Sequence, residues 1–130
     1  MKKLSFTAKI ANRLKIFFEY NDQINFNATL TLLMHIGETT GKLSDDLLEN
    51  SPEIAWEKIR GLRHRIAHDY IALDIAIIFI IIKNQLPDFL NSIYKLTAER
   101  LNKGILSSEE LNLAIGSRYY RHIDFKKLID

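Results

Sequence analysis

Hydrophobic residues recur at intervals of three and four along most of this 130-residue chain, which is the spacing of amphipathic helices. The pattern predicts a first helix over residues 6–20, and a second that begins at Asn25 or Asn27 as N-cap and stops near Gly41. The apolar positions are Phe6, Ile10, Leu14, Phe17 and Phe18 in the first helix and Leu30, Leu33, Met34 and Ile36 in the second.

A third helix is predicted to begin near residue 51. Ser51 is a favourable N-cap, and Pro52 is tolerated at the first helical position because its missing N–H would have no partner there. The apolar stripe of this helix comprises Ala55, Ile59, Leu62 and Ile66.

The apolar segment that follows is harder to assign, since β-branched residues favour strands. Helical spacing nevertheless continues to Leu96, and the chain offers no second strand candidate. We therefore predict one long helix from Ile71 to about residue 102, kinked at Pro87. Within it, the run IAIIFIII at residues 75–82 stops well short of the roughly 20 apolar residues of a membrane span. We expect this run to be buried in protein, with no membrane partner.

The C-terminal part is predicted to be helical as well. Ser107 with Glu110 forms a possible capping box for a fifth helix, and residues 118–129 are predicted to form a sixth. The sequence RYYRH at residues 118–122 is explained most simply by packing, although basic residues beside aromatic rings can also bind RNA.

The composition fits an all-α protein of one domain, residues 1–130, with a core at about 8–97 and a C-terminal extension at about 98–130. Hydrophobic residues make up 47% of the chain, and there are only two prolines. The lack of cysteine and of a secretory signal in MKKLSFTAKIANR favours a cytoplasmic protein. The net charge of +2 is too small to indicate nucleic-acid binding, so any RNA contact requires local clustering.

Candidate chemistry lies on the third predicted helix, where Arg60, His64 and His68 follow one another at intervals of four. They form a basic ridge away from the apolar stripe, which suits a phosphate group, although such a pattern is more often a solvated face. The two histidines could bind a metal, but no third ligand and no HExxH motif is recognisable. We therefore expect neither a metal site nor another cofactor.

A second row of residues on this helix comprises Trp56, Arg63 and Tyr70, at intervals of seven. This row lies on the shoulder of the apolar stripe, where a neighbouring helix could pack. We therefore consider the shoulder a candidate interface.

Arg63, His68 and Tyr70 also form an R-x4-H-x-Y motif, which resembles that of HepT-like proteins of the HEPN superfamily. The resemblance covers about residues 8–97. Its further elements are IGE at 36–38, Trp56, GLR at 61–63, Asp74 and LPDFL at 86–90.

This resemblance implies an up-and-down bundle of four to five helices that forms a homodimer. It further implies a metal-independent endoribonuclease acting on RNA rather than DNA, commonly the toxin of a toxin–antitoxin pair whose antitoxin is a minimal nucleotidyltransferase. By the same resemblance, Arg63 and His68 are catalytic, His64 is the assisting polar residue, and Tyr70 is an acceptor of AMP. Arg60 is a candidate contact to the RNA phosphate.

The spacing of Arg63 and His68 raises a geometric question, because five positions separate them by about 140° around an ideal helix. Either the helix ends or bends near Ala67, or two copies of the motif complete one cleft across a dimer axis. We favour the dimer, which the resemblance also implies.

Three functions remain open on the sequence. The first is a ribonuclease toxin. The second is a non-catalytic partner of a nucleotidyltransferase, with Tyr70 as the AMP acceptor. The third, which we favour least, is a structural helical protein.

Overall fold

The computed structural model describes residues 12–68 and 74–129, which form helices joined by turns, without a β-strand in either range. The prediction of an all-α fold is confirmed. The described chain divides into two compact units, with the boundary between Lys83 and Asn84. The helices before this boundary are α1 over residues 12–19, α2 (Ile24–Thr40), α3 (Asp45–Glu49), α4 (Trp56–His68) and α5 (Ile75–Ile80).

The predicted N-cap of α2 at Asn25 or Asn27 is wrong. The helix begins at Ile24 and follows three consecutive residues with left-handed backbone, from Asn21 to Gln23, with φ between 51° and 64°. Asn and Asp tolerate this conformation better than most residues. Asn25 and Asn27 lie inside the helix, where their carbonyls accept hydrogen bonds from threonine hydroxyls one turn later. The predicted positions Phe6 and Ile10 of the first helix lie outside the described residues.

The predicted start of the third helix at Ser51 is also wrong, because α4 begins at Trp56 and a short additional helix, α3, precedes it. Ser44 caps α3 by accepting a hydrogen bond from the N–H of Leu47 at 3.3 Å. The hydroxyl of Ser51 donates to the carbonyl of Leu47 and is therefore not used as a cap for α4. Ala55, a predicted stripe position, is exposed and precedes the helix.

The core of the first unit joins α2, α4 and α5. Its buried members are Phe26, Leu30, Leu33, Ile66 and Ile78. The rings of Phe17 and Phe18 in α1 meet the ring of Phe26 edge-on, with centroids 5.7 and 5.1 Å away. Helix α4 is thus fixed by Ile66, which is 1% exposed.

Helix α5 departs from two expectations. It begins at Ile75, not at Ile71, because Asp74 is extended and caps it by accepting a hydrogen bond from the N–H of Ala76. The expectation that the isoleucine-rich run is buried is wrong. Only Ile78 is buried, whereas Ile77 and Ile80 are 44% and 48% exposed. Within the described residues of this unit, α5 packs against the core on one side only, so its opposite face stays exposed.

The helical stretch Ile75–Asn102 is long and apolar enough to cross a membrane by length and composition alone, and no other such helix occurs in the described ranges. This observation is weak evidence for a span, because core helices of soluble proteins meet the same criterion.

The second unit contains α6 (Leu86–Asn102), α7 (Ser108–Ile115) and α8 (Lys126–Ile129), and the π-helical turn Ile81–Gln85 crosses the boundary before α6. Pro87 lies in the first turn of α6, where its missing N–H is tolerated. Ser107 caps α7 as predicted, and its hydroxyl accepts from the N–H groups of Glu109 and Glu110. The predicted single helix over 118–129 is wrong, because a 3-10 turn, Arg118–Tyr120, and α8 are separate.

Candidate active site on the fourth helix

The position of α4 depends on a close approach to α2 at Gly37. A Cβ atom added at Gly37 would lie 2.9 Å from the carbonyl oxygen of Ile59 and 3.0 Å from the backbone nitrogen of Arg63. Real Cβ atoms do not occupy such space, so only glycine permits this contact. Gly37, the glycine of the IGE segment, therefore allows α2 to pack against the backbone of Arg63, a predicted catalytic residue.

The two faces of α4 have opposite character. Ile66 is buried and Leu62 is half-buried, whereas Arg63, His64, Arg65 and His68 are exposed. The predicted exposure of the two histidines is confirmed. A cationic surface with two imidazoles therefore faces outwards from a helix whose back is fixed in the core.

His64 and His68 are the predicted site residues that the structure brings together. Their ring centroids are 4.3 Å apart, with an angle of 48° between the ring planes. This proximity follows from their i and i+4 positions on one helix. An imidazole can accept or donate a proton near neutral pH, so two adjacent rings can serve both halves of a proton-transfer reaction.

Arg63 and His68 are not brought together in this way. Helix α4 is continuous from Trp56 to His68, the last described residue before the gap at 69–73, so Arg63 and His68 lie on one helical segment. Among the described residues no hydrogen bond or ion pair joins Arg63 to His68. The angular separation of about 140° expected for an ideal helix therefore applies to them.

Arg60 is held differently from the rest of the ridge. Its guanidinium Nη1 lies 3.3 Å from Glu57 Oε1, and its Nε is buried without a hydrogen-bond partner among the described residues. The Glu57 side chain is 88% exposed, and such surface ion pairs contribute only about 0–1 kcal/mol. The carboxylate can therefore be exchanged for a phosphate oxygen at little cost.

The spacing of Trp56 placed it on the shoulder of the apolar stripe, a candidate interface, and the structure buries it beside the turn before α4. The side chain is buried, and its indole N–H donates to the carbonyl and the hydroxyl of Ser51 at 3.1 and 3.0 Å. This hydrogen bonding closes the turn before α4, so Trp56 stabilises the fold and is not available to a partner. Tyr70, the third member of that row, lies outside the described residues.

Within residues 12–68 and 74–129, no three His, Cys, Asp or Glu side chains form a group that could hold a metal ion. An open cavity of about 450 Å³ lies near the start of α4, lined mainly by Leu48, Ile54 and Trp56. Its lining contains no imidazole, so it is separate from the histidine pair.

These features define the chain as an all-α protein with a cationic, imidazole-bearing helix face. Its sequence matches the HepT-like family, described as "Ribonuclease HepT-like", over residues 4–96. The chain belongs to this family.

Proteins similar to this chain include two of Methanocaldococcus jannaschii and one of Thermococcus cleftensis. "Putative RNase MJ1380" of Methanocaldococcus jannaschii is 30% identical over 73 residues, which are 53% of this chain and 67% of that protein. "Probable ribonuclease HepT" of Thermococcus cleftensis is 24% identical over 97 residues, covering 67% and 88% of the two chains. "Putative RNase MJ1216" of Methanocaldococcus jannaschii is 27% identical over 99 residues, covering 73% and 78%. No solved structure matches the chain significantly.

Proposed function

We propose that this protein is a metal-independent endoribonuclease and the toxin of a cytoplasmic toxin–antitoxin pair. The observation that carries the proposal is the adjacent, exposed pair His64 and His68, on a helix that packs closely against Gly37. Membership in the HepT-like family supports RNA as the substrate.

In the proposed reaction, the RNA 2'-hydroxyl oxygen attacks the adjacent phosphorus and the P–O5' bond breaks. His68 accepts the proton of the 2'-hydroxyl, and a second imidazole donates a proton to the departing 5' oxygen. The products are a 2',3'-cyclic phosphate and a 5'-hydroxyl, so atoms and charges balance without water or metal. His64 is the assisting imidazole, because its ring centroid lies 4.3 Å from that of His68.

Arg63 has the role of stabilising the negative charge that develops on the phosphorane oxygens. A guanidinium suits this role because it offers planar, paired donors to phosphate oxygens. Since Arg63 and His68 project in different directions from one continuous helix, we assign them to a composite site in which two chains contribute. The exposed Ile77 and Ile80 of α5 support a homodimer, because apolar surface of this kind is stabilised by burial.

The proposed antitoxin is a minimal nucleotidyltransferase that transfers AMP from ATP to Tyr70 and releases pyrophosphate. Tyr70 lies two positions after His68 in the sequence. An AMP group there would add a negatively charged phosphodiester two positions in the sequence from His68, which we propose to be catalytic. Electrostatic repulsion would then inhibit RNA binding.

The decisive experiment incubates purified protein with total RNA in excess chelator and compares it with His68→Ala. We expect cleavage to fall by about 10²–10⁴-fold in the variant, the usual contribution of a general base. The matched control is His35→Ala, which removes an exposed histidine from α2 and should leave cleavage unchanged. Equal cleavage by wild type and His68→Ala, or none by the wild type, would contradict the ribonuclease proposal and favour a non-catalytic partner of the nucleotidyltransferase.

A further inference from the structure

A second candidate surface lies in the C-terminal unit, beyond residue 96, where the family match ends. Tyr119 and Tyr120 are 72% and 47% exposed. Exposed tyrosine rings on two consecutive residues are not explained by packing within the described part of this unit. The simplest interpretation of the sequence RYYRH, a packing helix, is therefore not sufficient.

The first of these rings is held in place by polar contacts. The guanidinium of Arg118 lies 5.2 Å from the centroid of the Tyr119 ring, and its Nη2 donates to the Tyr119 hydroxyl at 3.3 Å. The N–H of Tyr119 donates to the hydroxyl of Ser117, which caps the 3-10 turn. A ring that is ordered before binding loses less conformational entropy when a ligand stacks on it.

The segment is also fixed to the rest of its unit. Helix α8 packs on α6, with Leu128 and Leu96 both buried. The N–H of Asp124 donates to the Tyr94 hydroxyl at 2.9 Å, and the ammonium of Lys127 lies 5.2 Å from the Tyr94 ring centroid. The two exposed tyrosines therefore precede a segment that is anchored to α6 on their C-terminal side.

The charge around the rings is strongly biased. Residues 118–127 contain the cations Arg118, Arg121, Lys126 and Lys127 and the titratable His122, against the single acid Asp124. Stacking rings flanked by cations are the combination by which proteins bind single-stranded nucleic acid, since rings stack on bases and cations neutralise phosphates. A duplex, whose bases are already stacked, does not use such rings. An apolar protein partner does not require the cations.

We propose that Tyr119 and Tyr120, with Arg118 and Arg121, form an RNA-binding surface that stacks on unpaired bases of the substrate. The choice of RNA rests on the proposed ribonuclease function, whereas stacking on unpaired bases rests on the geometry of this segment alone. The surface binds RNA by base stacking and takes no part in the chemical step.

Binding is measured by fluorescence anisotropy on the full chain in excess chelator, with a labelled 12-nucleotide single-stranded RNA and the His68→Ala background to prevent cleavage. We expect Tyr119→Ala with Tyr120→Ala to raise the Kd by about fivefold or more for each lost stacking contact. Tyr119→Phe with Tyr120→Phe keeps both rings and should stay within about twofold of the parent. Binding should also be weaker for the same sequence annealed as a duplex.

The matched control is Leu113→Ala in α7, which removes an exposed apolar side chain of the same unit without removing a ring. The proposal fails if the double alanine variant binds like its parent, if Leu113→Ala weakens binding equally, or if the duplex binds as tightly. Circular dichroism confirms that each variant is folded. If the chain binds RNA as expected but never cleaves it, the proposed catalysis is refuted and the RNA-binding surface is not. If the chain cleaves RNA but the tyrosine variants bind it as tightly as their parent, the RNA-binding surface is refuted and the proposed catalysis is not.

Discussion

Helices α4 and α5 belong to the same core but differ in what they expose. Helix α4 buries Ile66 and exposes a face of arginine and histidine, as an amphipathic helix does. Helix α5 buries Ile78 and exposes Ile77 and Ile80, which are as apolar as the residue that it buries. The outer face of α4 is therefore polar, whereas that of α5, where we propose the homodimer contact, is apolar.

The largest effect is expected from Ile77→Lys with Ile80→Lys, which gives α5 the polar outer face that α4 already has. If α5 forms the dimer interface, burial of two ammonium groups is unfavourable and the chain becomes monomeric. Because the proposed site is shared by two chains, we expect cleavage to fall about a hundredfold, the magnitude of one lost acid–base contribution. Analytical ultracentrifugation and cleavage of total RNA measure the two effects.

Leu32→Lys is the control for this experiment, since Leu32 is 63% exposed on α2 and has no assigned role in dimerisation. It should leave both the dimer and the activity intact. A fully active monomer of the α5 variant would exclude the composite site.

A smaller effect is expected at the contact that seats α4. Gly37→Ala should lower the free energy of unfolding by about 1–3 kcal/mol, because the added Cβ overlaps backbone atoms of Ile59 and Arg63. Gly61→Ala is the matched control, since a Cβ there meets nothing within 4 Å and alanine favours a helix by about 1 kcal/mol. Urea denaturation measures both variants, and a loss of stability in Gly61→Ala equal to that in Gly37→Ala would argue against the close approach.

The smallest effect is expected at the polar face of α4, from Glu57→Gln. This change removes the ion pair with Arg60 but keeps the size of the side chain. If Arg60 contacts the RNA phosphate, freeing it should tighten RNA binding by up to about 1 kcal/mol, and the gain should shrink at high salt. Anisotropy titrations at two salt concentrations measure the change, and weaker binding would show that Glu57 itself supports the site.

The sequence predicts burial correctly where the position of a side chain within its own helix decides whether it is buried or exposed. Helical spacing placed Ile66 in the core and His64 and His68 on the outside, as the structure has them. Helical spacing did not predict the environment of Trp56, because this side chain is buried against a turn and its indole donates hydrogen bonds to Ser51.

Spacing also could not show which helices would be covered. The run at residues 75–82 was expected to be buried because it is apolar on every side, but burial depends on how many neighbours a helix acquires. The close approach of α4 to Gly37 could not be predicted either, because a glycine within a helix does not indicate which residues pack against it. Both features are properties of pairs of helices, which a periodic pattern in one segment does not contain.

The shared core of α2, α4 and α5 also bears on when activity can arise during synthesis. Ile66 and Ile78, twelve positions later in the chain, belong to the same core cluster. Helix α4 therefore lacks part of its packing until α5 has left the ribosome. Domains generally fold as units during translation. A nascent chain that exposes Arg63 and His68 but not yet α5 therefore lacks part of the core that supports α4, and we expect the proposed activity only after α5 has packed.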